Sequence, residues 1–92
     1  MEEIRKLRRK IDEVDENILR LLGERSEICR SIGFLKNDNN LPITDPYREN
    51  QIYRNVRDKA SDFGLDPDHV EAIYRQIVNM CSLVQGSKET SE

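Results

Sequence analysis

The sequence has no Trp, two Phe, three Tyr, four Gly and three Pro among its 92 residues. So few aromatics and turn formers exclude a small β-sandwich or barrel, which needs turn residues every ten or so positions. No run approaches the ~20 apolar residues of a membrane span, so no membrane partner is expected. Met1 to Lys10 is charged where a secretory leader needs an apolar stretch, and the expected location is the cytoplasm. Cysteine is scarce too. Cys29 and Cys81 stand far apart without CxxC spacing or a His cluster, so neither a metal site nor a dithiol centre is expected, and both read as reduced thiols packed like small hydrophobes. The balance of 15 Lys+Arg against 18 Asp+Glu, net -3, gives no general affinity for nucleic acid. Any cationic site must therefore be local.

What is present is helical pattern. Hydrophobic and charged residues are equal at 36% each, the balance of one small domain with little core, marginal as a monomer. Breakers at Asn37–Pro46 (NDNNLPITDP) and Gly64–Pro67 (GLDP) leave three helical segments, an all-α chain. The first, about Glu2 to Lys36, places Ile4, Leu7, Ile11, Val14, Ile18 and Leu21, then Ile28, Ile32 and Leu35, at alternating steps of three and four, a heptad seam. The second, about Pro46 to Phe63, sets Ile52, Val56 and Phe63 on one side and opens with Asp45 as N-cap before Pro46. Asp66 and Pro67 repeat that signal for the third, which runs to Gln85. Its main apolar stripe is Val70, Ile73, Ile77, Met80 and Val84, with Tyr74, Val78 and Cys81 beside it. The domain is expected over residues 1–85, with 86–92 (GSKETSE) a polar, disordered tail.

Lengths bear on assembly. A first helix of about 50 Å is roughly twice as long as either later one, so those two cannot cover its seam. A homodimer pairing the long helices across a two-fold axis is the expected remedy.

Charged residues stand where core should be. The seam position after Leu21 is Arg25, and Lys36, eleven residues on, is only about 20° away in azimuth, with Cys29 and Ile32 between. Either both cations snorkel to water or they line an anion pocket. Asp45, Arg48, Glu49 and Ile52 follow i, i+3, i+4, i+7, which turns the polar start of the second helix inward; Tyr74, Val78, Cys81 and Gln85 share similar spacing on the third. Each has a plain structural explanation as a cap, a solvated pair or a helix-end residue. Arg8, about 25 Å from Arg25 along the helix, cannot reach the same pocket in its own chain, though a dimer partner could deliver it. His69 has no Ser, Cys or carboxylate placed to form a nucleophilic pair, and Tyr47, Tyr53 and Tyr74 read as packing residues with wet hydroxyls.

With these residues in place the sequence resembles the all-helical class of chorismate mutase, from about Leu7 to Gln85. The resemblance is carried by LRRKIDEVDENILRLLGER (Leu7–Arg25), IGFLK (Ile32–Lys36), PITDPYRE (Pro42–Glu49) and the last helix ending at Gln85. It implies an intertwined homodimer of three-helix subunits and the rearrangement of chorismate to prephenate, an intramolecular pericyclic reaction that needs no cofactor, metal, nucleophile or general base. It further implies that Arg25 and the partner subunit's Arg8 hold the two carboxylates. Lys36 and Gln85 donate to the ether oxygen, Asp45 and Glu49 meet the ring hydroxyl, Arg48 arranges the carboxylate end, and Ile32 and Val78 form apolar walls. One departure is Cys81, where relatives often place a Ser contacting a carboxylate; a thiol is a much weaker donor.

Two other readings fit less well. Isochorismate-pyruvate lyases share this fold but lack the acidic pair that stands here at Asp45 and Glu49. A non-catalytic dimeric adaptor would not need Arg25 in the seam, since burying unpaired Arg25 and Lys36 costs several kcal/mol, on the order of 3–5.

Overall fold

The computed structural model describes residues 1–86 and contains, in chain order, helices α1 (Glu2–Asp38), α2 (Pro46–Ala60) and α3 (Pro67–Gln85), with a single 3₁₀ turn at Ser61–Phe63 after α2. The described residues form helices and connections only, as the sparse turn formers imply. The expected tail lies outside the described residues except for Gly86.

The ends of the helices follow local chemistry. Asp45 Oδ1 accepts from Arg48 N–H at 3.1 Å, and Asp66 Oδ1 accepts from Asp68 and His69 N–H at 2.7 and 3.4 Å; a proline follows each cap. These two backbone donors hold the Asp66 carboxyl below the usual range. α1 ends where Asn40 turns left-handed (φ 55°), which lets Leu41 N–H reach Lys36 O at 2.8 Å. Gly64 does the same after the 3₁₀ turn (φ 71°), and Leu65 N–H bonds Ala60 O at 3.0 Å.

Packing is centred on α3, which lies against both other helices, whereas α1 and α2 scarcely meet. Cys29 pairs with Cys81 and Gly33 meets Gln85; the constant offset of 52 residues means that α1 and α3 run in the same direction along this contact. A Cβ on Gly33 would stand 2.8 Å from Gln85 Cα and 2.9 Å from its carbonyl oxygen, so only glycine permits this approach. α2 turns Tyr53 and Ala60, seven residues apart, toward α3, and both are buried. The guanidinium of Arg75 stands 4.4 Å over the Tyr53 ring. Arg57 on α2 bridges Asp68 and Glu71 on α3, each at 2.9 Å, and Arg75 closes the network on Glu71 at 2.6 Å. Hydrogen bonds from Arg75 and Arg57 hold the Glu71 carboxyl below its ordinary value, against a smaller opposing effect of burial.

Two sequence expectations are revised and one is sharpened. Phe63 does not continue the inner face of α2: it falls in the 3₁₀ turn and is 75% exposed. On α3 the secondary stripe of Tyr74, Val78 and Cys81 is the more buried, with Val78 6% exposed, while the main stripe is mixed: Val70, Ile77 and Val84 are half-buried and Ile73 is 59% exposed. Periodicity identifies two apolar faces on α3 but not which neighbour each one meets. The cysteines, expected as reduced thiols, form a disulfide, because the two helices bring their Cα atoms to 5.5 Å, inside the range a disulfide spans.

The molecule measures 56 × 33 × 15 Å, so its thin dimension is hardly more than one helix diameter. Every residue from Met1 to Leu21 is exposed, including Leu7 (58%) and Ile11 (57%) of the heptad seam. No helix among the described residues is long and apolar enough to cross a membrane.

Candidate active site

A cleft of about 360 Å³, within the usual range for small-molecule sites, opens where the C-terminal third of α1, the connection into α2, the first turns of α2 and the last turns of α3 converge. Its polar lining includes Arg25 and Lys36 from α1, Asp45, Arg48 and Glu49 from the start of α2, and Gln85 from α3. Ile28, Ile32, Ile43, Ile52 and Val78 supply apolar wall. The residues singled out by charge at seam spacing thus converge on one space, with the exception of Arg8, which lies in the exposed part of α1 and does not line it.

The best-defined polar pair is at the far end of the cleft. Lys36 Nζ donates to Gln85 Oε1 at 2.8 Å and to the Ile43 carbonyl at 2.7 Å. An ammonium can only donate, so it fixes the Gln85 amide with its oxygen toward lysine and its NH₂ turned away. That NH₂ contacts Cys81 Sγ at 3.1 Å. Lys36 keeps a third N–H beyond these two bonds. The left-handed Asn40 and the Leu41–Lys36 bond reverse the chain after α1, which brings the Ile43 carbonyl to Lys36; Gly33 lets Gln85 come close enough.

The other cations are held more loosely. Arg25 is half-buried, its Nη1 3.9 Å from Cys29 Sγ, a weak contact. Arg48 is exposed and donates to Gln51 Oε1 at 2.8 Å, while Glu49 is half-buried. Asp45 uses one carboxylate oxygen as the α2 cap, so its structural and site placements coincide. Against Asp45 and Glu49, the three cations Arg25, Lys36 and Arg48 leave the lining with a formal charge of +1 in a chain of net -3. The cationic character is local, and it suits an anion.

Cys81 lines the cleft, but its sulfur is bonded to Cys29 and carries no proton to donate. Ser82, one position on, also lines it and was not anticipated. Its spacing of three from Gln85 was the available signal, masked because the face was traced through Cys81 in steps of three and four. Among the described residues no group of three or more His, Cys, Asp or Glu is placed to hold a metal ion.

Comparison with known proteins identifies the family. Residues 7–86 match the family described as chorismate mutase type II. A bifunctional chorismate mutase/prephenate dehydratase of Aquifex aeolicus is 42% identical over 84 residues, 88% of this chain and 23% of that protein. A chorismate mutase of Methanocaldococcus jannaschii is 36% identical over 66 residues, 72% of this chain and 67% of that one. A 3-dehydroquinate dehydratase of Pyrobaculum aerophilum is 40% identical over 79 residues, 86% of this chain and 23% of that protein. The chain thus spans about a quarter of the length of two of these relatives and two thirds of the third.

Proposed function

The chain belongs to the chorismate mutase type II family, and on that premise we propose that its cleft converts chorismate to prephenate. The ether carbon–oxygen bond breaks as a carbon–carbon bond forms within the same molecule, so no proton or electron passes to the protein. The site has two tasks. It must hold a dicarboxylate in the compact conformer that brings the bond-forming carbons together, and it must stabilise the negative charge that grows on the ether oxygen.

The observation that carries the reading is the Lys36–Gln85 pair at 2.8 Å. It places an ammonium with one N–H to spare next to the Gln85 side chain, whose NH₂ now rests on Cys81 Sγ and is the second donor when it turns to the ether oxygen. Their interaction strengthens as that oxygen gains charge, so they favour the transition state over the bound substrate. Arg25 binds one carboxylate, Arg48 arranges that end of the substrate, and Asp45 and Glu49 receive the ring hydroxyl. Cys81 contributes wall, and the hydroxyl available beside it is that of Ser82.

The active form in this reading is a homodimer. The apolar seam exposed from Ile4 to Leu21 and the outward Ile73 and Leu83 are the surface it buries. The partner subunit's Arg8 then enters the cleft and raises its formal charge from +1 to +2, the complement of a dicarboxylate. The domain occupies residues 1–85, acts in the cytoplasm and belongs to aromatic amino acid biosynthesis.

The test is loss of chorismate absorbance with purified protein, product identified by acid conversion of prephenate to phenylpyruvate, and isochorismate run in parallel. Prephenate from chorismate is expected. Pyruvate from isochorismate alone would replace the mutase with the lyase, and no turnover of either by a folded dimer would leave a non-catalytic adaptor.

A further inference from the structure

We infer that the Cys29–Cys81 disulfide is a positioning crosslink for the cleft, holding Arg25 and Gln85 in the relative placement that the rearrangement requires. The inference rests on the activity proposed above.

The cleft is built from two bodies. Arg25 and Lys36 ride on α1, whereas Glu49, Val78 and Gln85 ride on the α2–α3 pair, and among the described residues the two bodies meet along α1 from Leu22 onward. Among the described residues α1 is exposed from Met1 to Leu21, so the chain's own hold on it lies beyond that point; a partner covering the exposed half would support α1 without setting the offset of α3 along it. Any slip of α3 along α1 moves Gln85 against Lys36 and Val78 against Arg25 at once. The non-covalent ties here are the Gly33–Gln85 approach and the half-buried Lys36–Gln85 hydrogen bond. The disulfide lies one helical turn before Gly33 on α1 and one before Gln85 on α3, at a buried Cys29 and a half-buried Cys81.

Both sulfurs touch polar groups of the cleft. Cys29 Sγ is the neighbour of Arg25 Nη1, and Cys81 Sγ receives the Gln85 amide NH₂. The bond therefore fixes the helices and also sets the sulfur atoms that two cleft-lining side chains touch. Cys29 and Cys81 take no part in the rearrangement. Their own chemistry is thiol–disulfide exchange: two thiols lose two protons and two electrons to a small-molecule disulfide, which is released as two thiols, and a dithiol reverses the step as it becomes a cyclic disulfide.

The experiment uses the full chain. Alkylation of unfolded, unreduced protein followed by mass measurement is expected to find no free thiol; two thiols per chain would overturn the inference. Kinetics of the oxidised and dithiothreitol-reduced forms, well below the melting temperature, are then compared. Reduction is expected to lower kcat about tenfold, a part of the ~10²-fold that a misplacement near 1 Å costs, with KM changed much less and kcat restored on reoxidation. Cys29→Ala should match the reduced wild type and ignore dithiothreitol. Equal kcat in the two folded forms would reduce the crosslink to a stabilising role and overturn the proposal. Failure of the mutase reading is separable: affinity for a stable bicyclic dicarboxylate, measured by calorimetry, should weaken about tenfold on reduction whether or not chorismate turns over. Unchanged affinity, or no binding by the oxidised form, counts against the crosslink's role.

Discussion

The two ends of α1 carry the same heptad pattern and have different surroundings. From Leu22 onward the helix turns a second face, with Cys29 and Gly33 buried, against α3 while the seam residues Ile28, Ile32 and Leu35 stay exposed; before Leu22 every residue is exposed. Arg25 marks the change, a charge in an apolar register at the mouth of the cleft. A hydrophobic repeat reports that a face is covered, not by what. Where α3 lies against the helix the repeat is interrupted by the charge of Arg25, and the neighbouring face carries the glycine of a close approach, because a site and a tight contact are built there. Where it is uniform, no described element of the chain covers the face, which is the surface the proposed dimer would bury.

The sharpest way to break that comparison is to charge the uniform half. Ile11→Glu with Ile18→Glu should abolish the dimer and the cooperative thermal transition, at a cost of several kcal/mol, on the order of 3–5, for polar groups forced into a packed seam. Sedimentation and circular dichroism read the outcome. If the exposed half of α1 faces only water, the same pair should change stability by no more than about 0.5 kcal/mol each.

In the other half, Lys36→Ala should lower kcat by about 10²-fold or more with dimer and helicity retained, as for removal of a donor to developing charge. Normal turnover by that variant would remove Lys36 from the reaction. The two halves are joined by mixing: Arg8→Ala and Lys36→Ala chains, inactive apart, should recover activity after subunit exchange. Each hybrid dimer holds one cleft with both wild-type residues, and no recovery after confirmed exchange would refute a shared site.

Glycine gives a milder test of the same contrast. A Cβ at Gly33 would meet backbone at 2.8 Å, so Gly33→Ala must part α1 from α3 and is expected to cost about 1–3 kcal/mol along with most of the activity. At Gly23 a Cβ meets nothing within 4 Å, and Gly23→Ala should stabilise by about 0.4–1 kcal/mol. Melting curves of the two variants should move in opposite directions.

The smallest effect is on acid stability. Asp66 and Glu71 both titrate below their ordinary values in the folded chain. The unfolded chain therefore binds protons first, and the stability these groups lend is intact above about pH 4–5 and lost as pH falls through their folded values. Asp66→Asn and Glu71→Gln should flatten the acid limb of a plot of melting temperature against pH, with little change near neutrality. An unchanged acid limb would show that these contacts are absent in solution.

The helices were legible from sequence because their signals are local. Asp45–Pro46 and Asp66–Pro67 start α2 and α3 where expected, α3 ends at Gln85, and the heptads span α1. Much of the cleft was legible too, since Arg25, Lys36, Asp45, Glu49 and Gln85 are polar groups on faces that should be apolar. The Ile43 carbonyl was hidden, because a backbone acceptor leaves no mark in side-chain pattern, and Ser82 was hidden behind Cys81. Which of the two apolar stripes of α3 is the more buried was hidden, since both are apolar.

By itself, then, the sequence determined three helices, their ends, a chain with little core of its own and a local set of charges on inward faces. Capping, helical period and charge count depend only on neighbours within a few residues, so they can be read along the chain. Only the tertiary structure decided that α3 rather than α2 lies along α1, that Gly33 admits Gln85 to Lys36, and that Cys29 and Cys81 are bonded. Those facts depend on distances between segments some 50 residues apart, which the offset of two helices sets and no local rule encodes.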